Sequence, residues 1–178
     1  MATSIRVASE LDRDAVREVH LSAFTEAENQ VVAMLAARLL SEQTHPETIN
    51  LVAEMDGGIV GHIAFSPVTA DADTNWLGYI LAPLGVRPEY QRGGIASRLI
   101  ESGMKRLSET GVDAVLVYGD PKFYGRLGFS AETAMGYRPP YALQYPFGWQ
   151  AALLREQSSD TRAIEIACVE ALRDPALW

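Results

Sequence analysis

The alternation of apolar and polar positions divides the 178-residue chain into short strands and amphipathic helices. Residues 3–9 predict a first strand, and Ser9 with Asp12 three positions later predicts a helix start with a capping box. A second helix is predicted over about residues 26–42. Four-residue spacing predicts one inward-facing stripe on each helix: Leu11, Ala15, Val19 and Ala23 on the first, and Ala27, Val31, Leu35 and Leu39 on the second.

The middle of the chain predicts a hairpin, a long strand and a third helix. Two β-rich runs flank Asp56-Gly57-Gly58, which is typical of a hairpin turn. Residues 76–86 predict a long strand that contains Pro83, where a missing backbone donor favours a bulge or a broken pairing. The next helix is predicted from Ile95 to about Thr110, with Gly111 as its C-cap. Its predicted inward positions are Ala96, Leu99, Ile100, Gly103 and Leu107.

The remainder of the chain predicts strands around one short helix. Residues 112–119 predict a buried strand, and residues 121–129 predict a short helix that Gly128 closes. Residues 149–155 and 162–172 predict a final antiparallel pair, although the composition of the second segment fits a helix equally well.

The polar residues 156–161 predict a loop between those two segments. The tail, residues 159–178, is expected to supply a final strand or to pack on a neighbouring element. The order of elements predicts one mixed α/β domain over residues 1–178.

Composition and charge narrow the classes of function. The chain is 48% hydrophobic and 21% charged, and its formal net charge is −8, which argues against nucleic acid as a partner. Acidic charge leaves room for cationic or amine substrates, but the simpler explanation is solubility. With Cys168 as the single cysteine and no Cys/His cluster, we expect neither an intrachain disulfide nor a metal site. The absence of a signal-like segment and of an 18-residue apolar run predicts a cytoplasmic protein without membrane contact.

Two adjacent glycines precede the third predicted helix. A helix N-terminus presents unpaired N–H groups and the positive end of the helix dipole, so it favours anions. Gly93 and Gly94 would let a phosphate approach the backbone, and Arg92 and Arg98 would add positive charge. Loop geometry alone would also explain such a glycine pair. The dinucleotide motif GxGxxG is absent after the first strand, and GxxxxGK[ST] does not occur.

Three motifs in this region resemble the GNAT superfamily of acetyl-CoA-dependent N-acetyltransferases. Residues 91–96, QRGGIA, fit its Q/R-x-x-G-x-G/A signature, and residues 84–88, LGVRP, resemble the L-x-V-x-P strand end before it. Residues 123–129, FYGRLGF, resemble the Y-x-x-x-G-F ending. Within the superfamily, GDPKFYGRLGF and YPFGWQAALL are similar to the YhbS-type predicted acetyltransferases.

The resemblance implies a GNAT-like single domain, with a central twisted mixed sheet of about six or seven strands and about four helices. It implies that two parallel strands splay apart to bind CoA, and that a backbone N–H polarises the thioester carbonyl. The alternative for the strand containing Pro83 is a plain strand with an edge proline. The implied cofactor-binding residues are Leu84, Gly85, Val86, Gln91, Arg92, Gly93, Gly94, Ile95, Ala96 and Ser97.

The resemblance places Tyr124 at the family's proton-donor position, where it would serve the leaving CoA thiolate. A tyrosine that only packs under the cofactor is the alternative. The family often has an asparagine ahead of this tyrosine, whereas this chain has Asp120, so the usual side-chain contact to pantetheine is not expected.

The general base has several candidates. Glu28 lies at the predicted start of the second helix, where the fold contacts the acceptor, and it is the candidate we put forward. Glu54 and His62 lie on the predicted hairpin strands. Structural or solvated roles, or a relay through water, are the alternatives for all three. His20 and His45 are predicted on a helix surface and in a loop, and Cys168 in the core.

An aromatic and proline-rich segment, residues 135–150, precedes the last strands. It would line the acceptor pocket with Tyr141, Tyr145 and Trp149, or cover a sheet edge, or form a homodimer contact.

The sequence thus predicts transfer of an acetyl group from acetyl-CoA to a primary amine of a small molecule. A peptide or protein amine is an alternative acceptor, and the acyl group is not fixed to acetyl. A non-catalytic acyl-CoA-binding sensor of the same fold is a second hypothesis, which Tyr124 argues against. A nucleotide-binding oxidoreductase is a third.

Overall fold

A computed structural model describes residues 2–70, 75–156 and 163–178 of the chain. The α-helices are α1 (Arg13–Ala23), α2 (Asn29–Ser41), α3 (Ile95–Ser108), α4 (Pro121–Gly125) and α5 (Ala131–Ala134). The β-strands are β1 (Ser4–Val7), β2 (Ile49–Met55), β3 (Gly58–Ala70), β4 (Leu77–Val86), β5 (Ala114–Tyr118), β6 (Tyr137–Arg138), β7 (Trp149–Leu153) and β8 (Ile164–Ala167). None of the helices in these ranges is long and apolar enough to cross a membrane.

The described chain divides into two units. The first comprises residues up to 65 together with 82–103, and the second comprises 66–81 together with 104–178. In the first unit the strand order is β1-β2-β3-β4, and α1, α2 and the start of α3 belong to it. In the second unit β4 pairs with β5 in parallel, and β5 pairs with β7 in antiparallel.

The predicted hairpin is present as β2 and β3. The two strands pair antiparallel around a turn whose residues Asp56 and Gly57 have φ values of 55° and 81°. Positive φ at both central residues is the geometry of a type I′ turn, which matches the twist of the flanking strands. The predicted first strand is also correct, since β1 pairs antiparallel with β2.

The predicted inward faces of the first two helices are partly wrong. Leu11 is 96% exposed because it lies in a 3₁₀ turn before α1, outside the periodicity of that helix. α1 instead buries Val16, Val19 and His20. The capping residues are correct, because the Asp12 carboxylate accepts a hydrogen bond of 2.8 Å from the Ser9 N–H.

The second helix begins at Asn29, so the predicted stripe started too early. Ala27 lies before the helix and is exposed, and Val31 is 46% exposed. The buried positions of α2 are mostly alanines, whose weak apolar signal concealed the inward face: Ala33, Leu35, Ala36, Ala37 and Leu39.

The third helix follows the prediction. Leu99, Ile100 and Leu107 are buried, and Gly111 ends the segment with a φ of 77°. Gly103 lies directly against the ring of Phe65 on β3, where any side chain would collide. This glycine therefore sets how closely α3 packs on the sheet.

The predicted pairing of the last two strands is wrong. The sequence left the last segment as a strand or a helix, and residues 164–167 form a strand. This strand, β8, does not pair with β7. Instead β7 pairs with β5, and β8 pairs with β3 and β6. Apolar patterning predicts that a segment is a strand and does not select its neighbour. Of the predicted loop 156–161, residues 157–161 lie outside the described residues.

Candidate active site

The glycine loop before α3 forms a tight, solvent-exposed turn in the first unit. A 3₁₀ turn at Pro88–Tyr90 leads into it, and the Gln91 side chain donates a hydrogen bond of 2.9 Å from Nε2 to the Val86 carbonyl. Arg92 and Gly94 both adopt left-handed backbone conformations, with φ values of 64° and 83°. At the start of α3, the Arg98 N–H donates a hydrogen bond of 3.1 Å to the carbonyl of Gly94, the residue just before the helix.

The loop leaves open space at the start of the helix. A side-chain carbon placed on Gly94 would meet no atom within 4 Å, and the loop residues from Gln91 to Gly94 are exposed. Because α3 has 14 residues, its N-terminus carries a well-developed positive dipole end. The residues present therefore fit an anionic group such as a diphosphate.

The strand before this loop runs past its parallel partner. The ladder between β4 and β5 ends at the pair Leu81–Val117, and β4 continues to Val86. Pro83, which lacks a backbone donor, lies in that continuation. The strand end is fixed by Arg87, which donates its N–H to the Val60 carbonyl at 2.8 Å and its Nε to the Ile59 carbonyl at 3.0 Å. The bulge expected at Pro83 stays a prediction.

Tyr124 lies on α4 in the second unit. The helix begins with Asp120, whose carboxylate accepts a hydrogen bond of 2.9 Å from the Lys122 N–H. Asp120 therefore acts as the N-cap of this helix. The Tyr124 ring packs edge-on against Phe123 and Phe129, with ring centroids 5.0 Å and 5.7 Å apart.

The space for the Tyr124 ring is provided by Gly119. A side-chain carbon on Gly119 would lie 2.5 Å from Cε2 of Tyr124. Burial, together with the negative charge of Asp120, raises the pKa of Tyr124 to about 12. Among the described residues the Tyr124 hydroxyl has no hydrogen-bond partner, so a protonated phenol is available as a donor.

The acidic base candidates differ in their surroundings. Glu28 is exposed at the start of α2, where its carboxylate accepts a bond of 3.4 Å from the Thr25 hydroxyl. Glu54 is held by Arg6 at 2.8 Å, and Arg6 also pairs with Asp12 at 2.8 Å. The hydrogen bond from Arg6 lowers the pKa of Asp12 to about 2. Glu54 is therefore engaged in an ion-pair cluster, whereas Glu28 is open to solvent.

The histidines are arranged differently from the prediction. His20 was predicted on a helix surface, but it is fully buried and contacts the equally buried His62. Nε2 of His20 lies 2.8 Å from Nδ1 of His62, and Nε2 of His62 lies 3.0 Å from Oδ1 of Asn50. The signal for burial was present, since His20 follows the buried Val16 by one helical turn. The predictions for His45, which is exposed, and Cys168, which is buried, agree with the structure.

The aromatic segment packs within the second unit. Trp149 is buried on β7 and donates its Nε1–H to the Tyr137 carbonyl at 2.9 Å. Trp178 lies 6.0 Å from Trp149 and 6.1 Å from Tyr141, measured between ring centroids. Tyr145 is 53% exposed. Trp149 is therefore a core residue, and the more accessible aromatic candidates for an acceptor pocket are Tyr141 and Tyr145.

The sequence-predicted site residues thus fall into two groups. The ten cofactor candidates and Glu28 lie in the first unit, and Tyr124 lies in the second. Among residues 2–70, 75–156 and 163–178 there is no group of three His, Cys, Asp or Glu side chains that could hold a metal ion.

Comparisons with known proteins identify the family. Residues 46–131 match the profile of the acetyltransferase (GNAT) domain. The chain is 34% identical over 142 residues to the uncharacterized N-acetyltransferase YjhQ of Escherichia coli K12, and the match covers 79% of this chain and 77% of that protein. The chain belongs to the GNAT acetyltransferases. It is also 43% identical over 84 residues to the uncharacterized N-acetyltransferase YhbS of Escherichia coli K12, and this match covers 46% of this chain and 49% of YhbS.

Solved GNAT structures confirm the fold. The structure of Escherichia coli YhbS in complex with CoA superposes with a TM-score of 0.72 at 30% identity, covering 93% of this chain and 89% of that chain. A GNAT acetyltransferase from Brucella melitensis in complex with acetyl-CoA gives a TM-score of 0.68 at 28% identity, covering 96% and 97%. The predicted mixed α/β GNAT fold is confirmed, and the small elements α5 and β6 are additions to the expected set. The predicted enzyme class, acetyl-CoA-dependent N-acetyltransferase, is confirmed by membership of this family.

Proposed function

We propose that this GNAT chain transfers the acetyl group of acetyl-CoA to a primary amine of a small molecule. The observation that carries the proposal is the left-handed, exposed turn at Arg92–Gly94 directly before α3. In this proposal the CoA diphosphate lies on the N-terminus of α3, with its negative charge opposite the helix dipole. The two relatives solved with CoA and acetyl-CoA support this assignment.

The pantetheine arm then runs along the end of β4. Leu84, Gly85 and Val86 lie beyond the last pair of the β4–β5 ladder, so we assign the pantetheine contacts to their backbone groups. A backbone N–H there polarises the thioester carbonyl and stabilises the developing oxyanion. The amine nitrogen attacks the carbonyl carbon, the carbon–sulfur bond breaks, and the sulfur leaves as a thiolate.

Tyr124 serves that thiolate as a hydrogen-bond donor. Its pKa of about 12 lies well above the value near 8.5 of an ordinary thiol, so full proton transfer to the sulfur would be uphill by roughly 5 kcal/mol. A phenol that stays protonated throughout the physiological range can nevertheless stabilise the leaving sulfur by donating a hydrogen bond. The thiolate obtains its proton from solvent.

Calorimetric titration with acetyl-CoA tests the cofactor assignment. Gly94→Asp adds a side chain and a negative charge where the diphosphate would lie, so acetyl-CoA affinity should fall at least about a hundredfold. Gly57→Asp is the matched control, because Gly57 has a φ of 81°, is also exposed and has no neighbour within 4 Å of an added side chain. The control should bind as the wild type does. Equal binding by both variants, or preferential binding of NADPH by the wild type, would overturn the assignment.

Turnover is tested with a panel of small polyamines and amino compounds beside lysine-containing peptides. Release of free CoA thiol with the small amines supports the proposal, and acetylation of the peptides alone contradicts the assigned acceptor class. Tyr124→Phe should keep acetyl-CoA affinity and lower kcat about tenfold or more, because the hydrogen bond to the sulfur is lost. Unchanged kcat removes Tyr124 from the mechanism. A wild type that binds acetyl-CoA and acetylates no amine would favour the non-catalytic sensor.

A further inference from the structure

A directional chain of hydrogen bonds crosses the core of the first unit. The Asn50 amide donates from Nδ2 to the Leu39 carbonyl at 3.2 Å, so its Oδ1 is the atom that faces His62. Oδ1 is an acceptor, so His62 carries its proton on Nε2. Burial lowers the pKa of His62 well below its usual value, and the ring is neutral. Nδ1 of His62 is therefore an acceptor for the Nε2–H of His20.

Within the described part of the chain, this series of hydrogen bonds ends at a nitrogen without a bound proton or a hydrogen-bond partner, Nδ1 of His20. With its proton on Nε2, His20 presents Nδ1 as an unprotonated lone pair, and this atom is buried without a hydrogen-bond partner among the described residues. An unpaired buried acceptor costs about 1–3 kcal/mol of folding free energy. If His20 served only to fill the core, an apolar residue of similar size would pack there without this cost. The unpaired Nδ1 atom therefore requires another explanation.

The bare nitrogen faces the backbone of β4 at Gly85. A side-chain carbon on Gly85 would lie 2.7 Å from Nδ1 of His20, so only glycine allows the imidazole to contact the strand here. Gly85 belongs to the segment assigned above to the pantetheine arm. The ring of Phe24, the residue after α1, stacks on His20 with centroids 5.9 Å apart and an interplanar angle of 29°. Phe24 is only partly buried, so its ring marks the side from which the acceptor amine would have to reach the fully buried His20.

We propose that His20 is the catalytic base of this enzyme: its Nδ1 accepts the proton that the acceptor amine loses on attacking the thioester, and His62 and Asn50 hold it in the required tautomer. The proposal rests on the acetyl transfer proposed above. The amine nitrogen forms the bond to the carbonyl carbon, its proton moves to Nδ1, and the sulfur leaves with the electrons of the carbon–sulfur bond. The imidazolium then returns the proton through solvent, which protonates the thiolate, so the imidazole is regenerated.

The surroundings of His20 supply a neutral setting for this role. His62 on β3 is the titratable group that faces it among the described residues, while Phe24, Asn50 and the Gly85 backbone carry no charge. Burial lowers the pKa of His20, so the imidazole is neutral and its Nδ1 lone pair is unprotonated at physiological pH. The same burial disfavours the imidazolium, so His20 holds the proton only transiently before it passes to solvent. His20 is oriented by His62, and His62 in turn by Asn50. Catalytic bases are commonly held in position by such a series of hydrogen bonds.

His20→Gln is the decisive variant. The glutamine amide can still donate to Nδ1 of His62, but it supplies no titratable nitrogen at Gly85. We expect kcat to fall about a hundredfold or more, with acetyl-CoA affinity by calorimetry and the melting temperature close to wild type. His45→Gln, the same change at an exposed loop histidine, should leave kcat unchanged. A kcat within threefold of wild type for a folded His20→Gln protein would overturn the proposal.

A measurement on the wild type covers the case in which the variant does not fold. In ¹⁵N-histidine NMR spectra, His20 should show an unprotonated Nδ1 and a protonated Nε2. Addition of CoA with a turned-over amine should shift the Nδ1 resonance, because that nitrogen then accepts a hydrogen bond. An Nδ1 resonance that is protonated in the free enzyme, or unmoved in the ternary complex, would refute the assignment. Acetyl-CoA binding with turnover in the wild type establishes the proposed function independently of either result.

Discussion

At the scale of single residues, glycines are required in this protein for two different reasons. Gly94 and Gly57 are needed for their left-handed backbone and have open space around them, whereas Gly85 and Gly119 are needed because a side chain would collide with His20 and Tyr124. The first pair tolerates added volume at the cost of backbone strain, and the second pair does not tolerate it. The position in the structure decides which property of glycine matters.

The buried histidine pair predicts a specific dependence of stability on pH. Burial lowers the pKa of His20 to about 4 and that of His62 in the same direction, whereas both titrate near 6.5 in the unfolded chain. Below pH 6.5 the unfolded chain therefore binds more protons than the folded one, and the free energy of unfolding decreases as the pH falls from 6.5 towards 4. Urea unfolding at several pH values between 7 and 4.5 measures this slope.

Two comparisons isolate the cause of that slope. His20→Gln removes one shifted group and should flatten the dependence, while His45→Gln should leave it as in the wild type. Asp12 does not contribute in this window, because its pKa is lowered from 3.8 to about 2, so its stabilisation is lost only at lower pH. Identical slopes for the wild type and His20→Gln would show that the His20 imidazole is not a source of the dependence.

At the scale of elements, the short helix α4 depends on its neighbours for its position. A five-residue helix has little stability of its own, and α4 is fixed by the Asp120 cap and by the packing of the Tyr124 ring over Gly119. The catalytic geometry proposed for Tyr124 is therefore set by a residue outside the helix.

Two glycine substitutions test this dependence: one at Gly119, which contacts the Tyr124 ring, and one at Gly125, which follows Tyr124 in the sequence. Gly119→Ala should destabilise the protein by about 1–3 kcal/mol and reduce kcat, since the added methyl group displaces the ring. Gly125→Ala, on α4 itself, meets no atom within 4 Å and should leave stability unchanged or raise it by about 0.5–1 kcal/mol. Thermal denaturation and steady-state kinetics report both effects. Equal melting temperatures for the two variants would contradict the packing argument.

At the scale of the whole molecule, two strands run through both units. β3 and β4 each contribute residues to the first and to the second unit, so neither unit contains a complete set of strands by itself. The sequence-based prediction of a single domain over residues 1–178 stays a prediction.

Calorimetry with one core variant in each unit tests cooperativity. Leu99→Ala in the first unit and Leu116→Ala in the second should each cost about 2–5 kcal/mol, because both side chains are fully buried. If the chain is one domain, each variant shifts a single common transition whose calorimetric and van't Hoff enthalpies agree. Two transitions, each moved by only one of the variants, would show two separately folding domains.

Much of the site was predictable from local patterns. The loop at Gly93-Gly94 follows from glycine chemistry and helix termini, and the hairpin at Asp56-Gly57 follows from the turn those residues favour. Tyr124 was singled out by resemblance to the family. Glu28 stays a prediction as a base, and it is the alternative to the base proposed above, His20. These features depend on a few consecutive residues, which is why the sequence alone predicts them.

By itself, then, the sequence indicated most element types, the glycine loop before the third helix and the resemblance to the GNAT family. Only the tertiary structure decided that β7 pairs with β5, that Leu11 faces solvent, and that His20 meets His62 and Gly85 in the core. His20, His62 and Gly85 lie far apart in sequence and have no shared periodicity. Their contact arises because α1 packs on the sheet, and packing of distant segments depends on side-chain volume and burial across the whole unit.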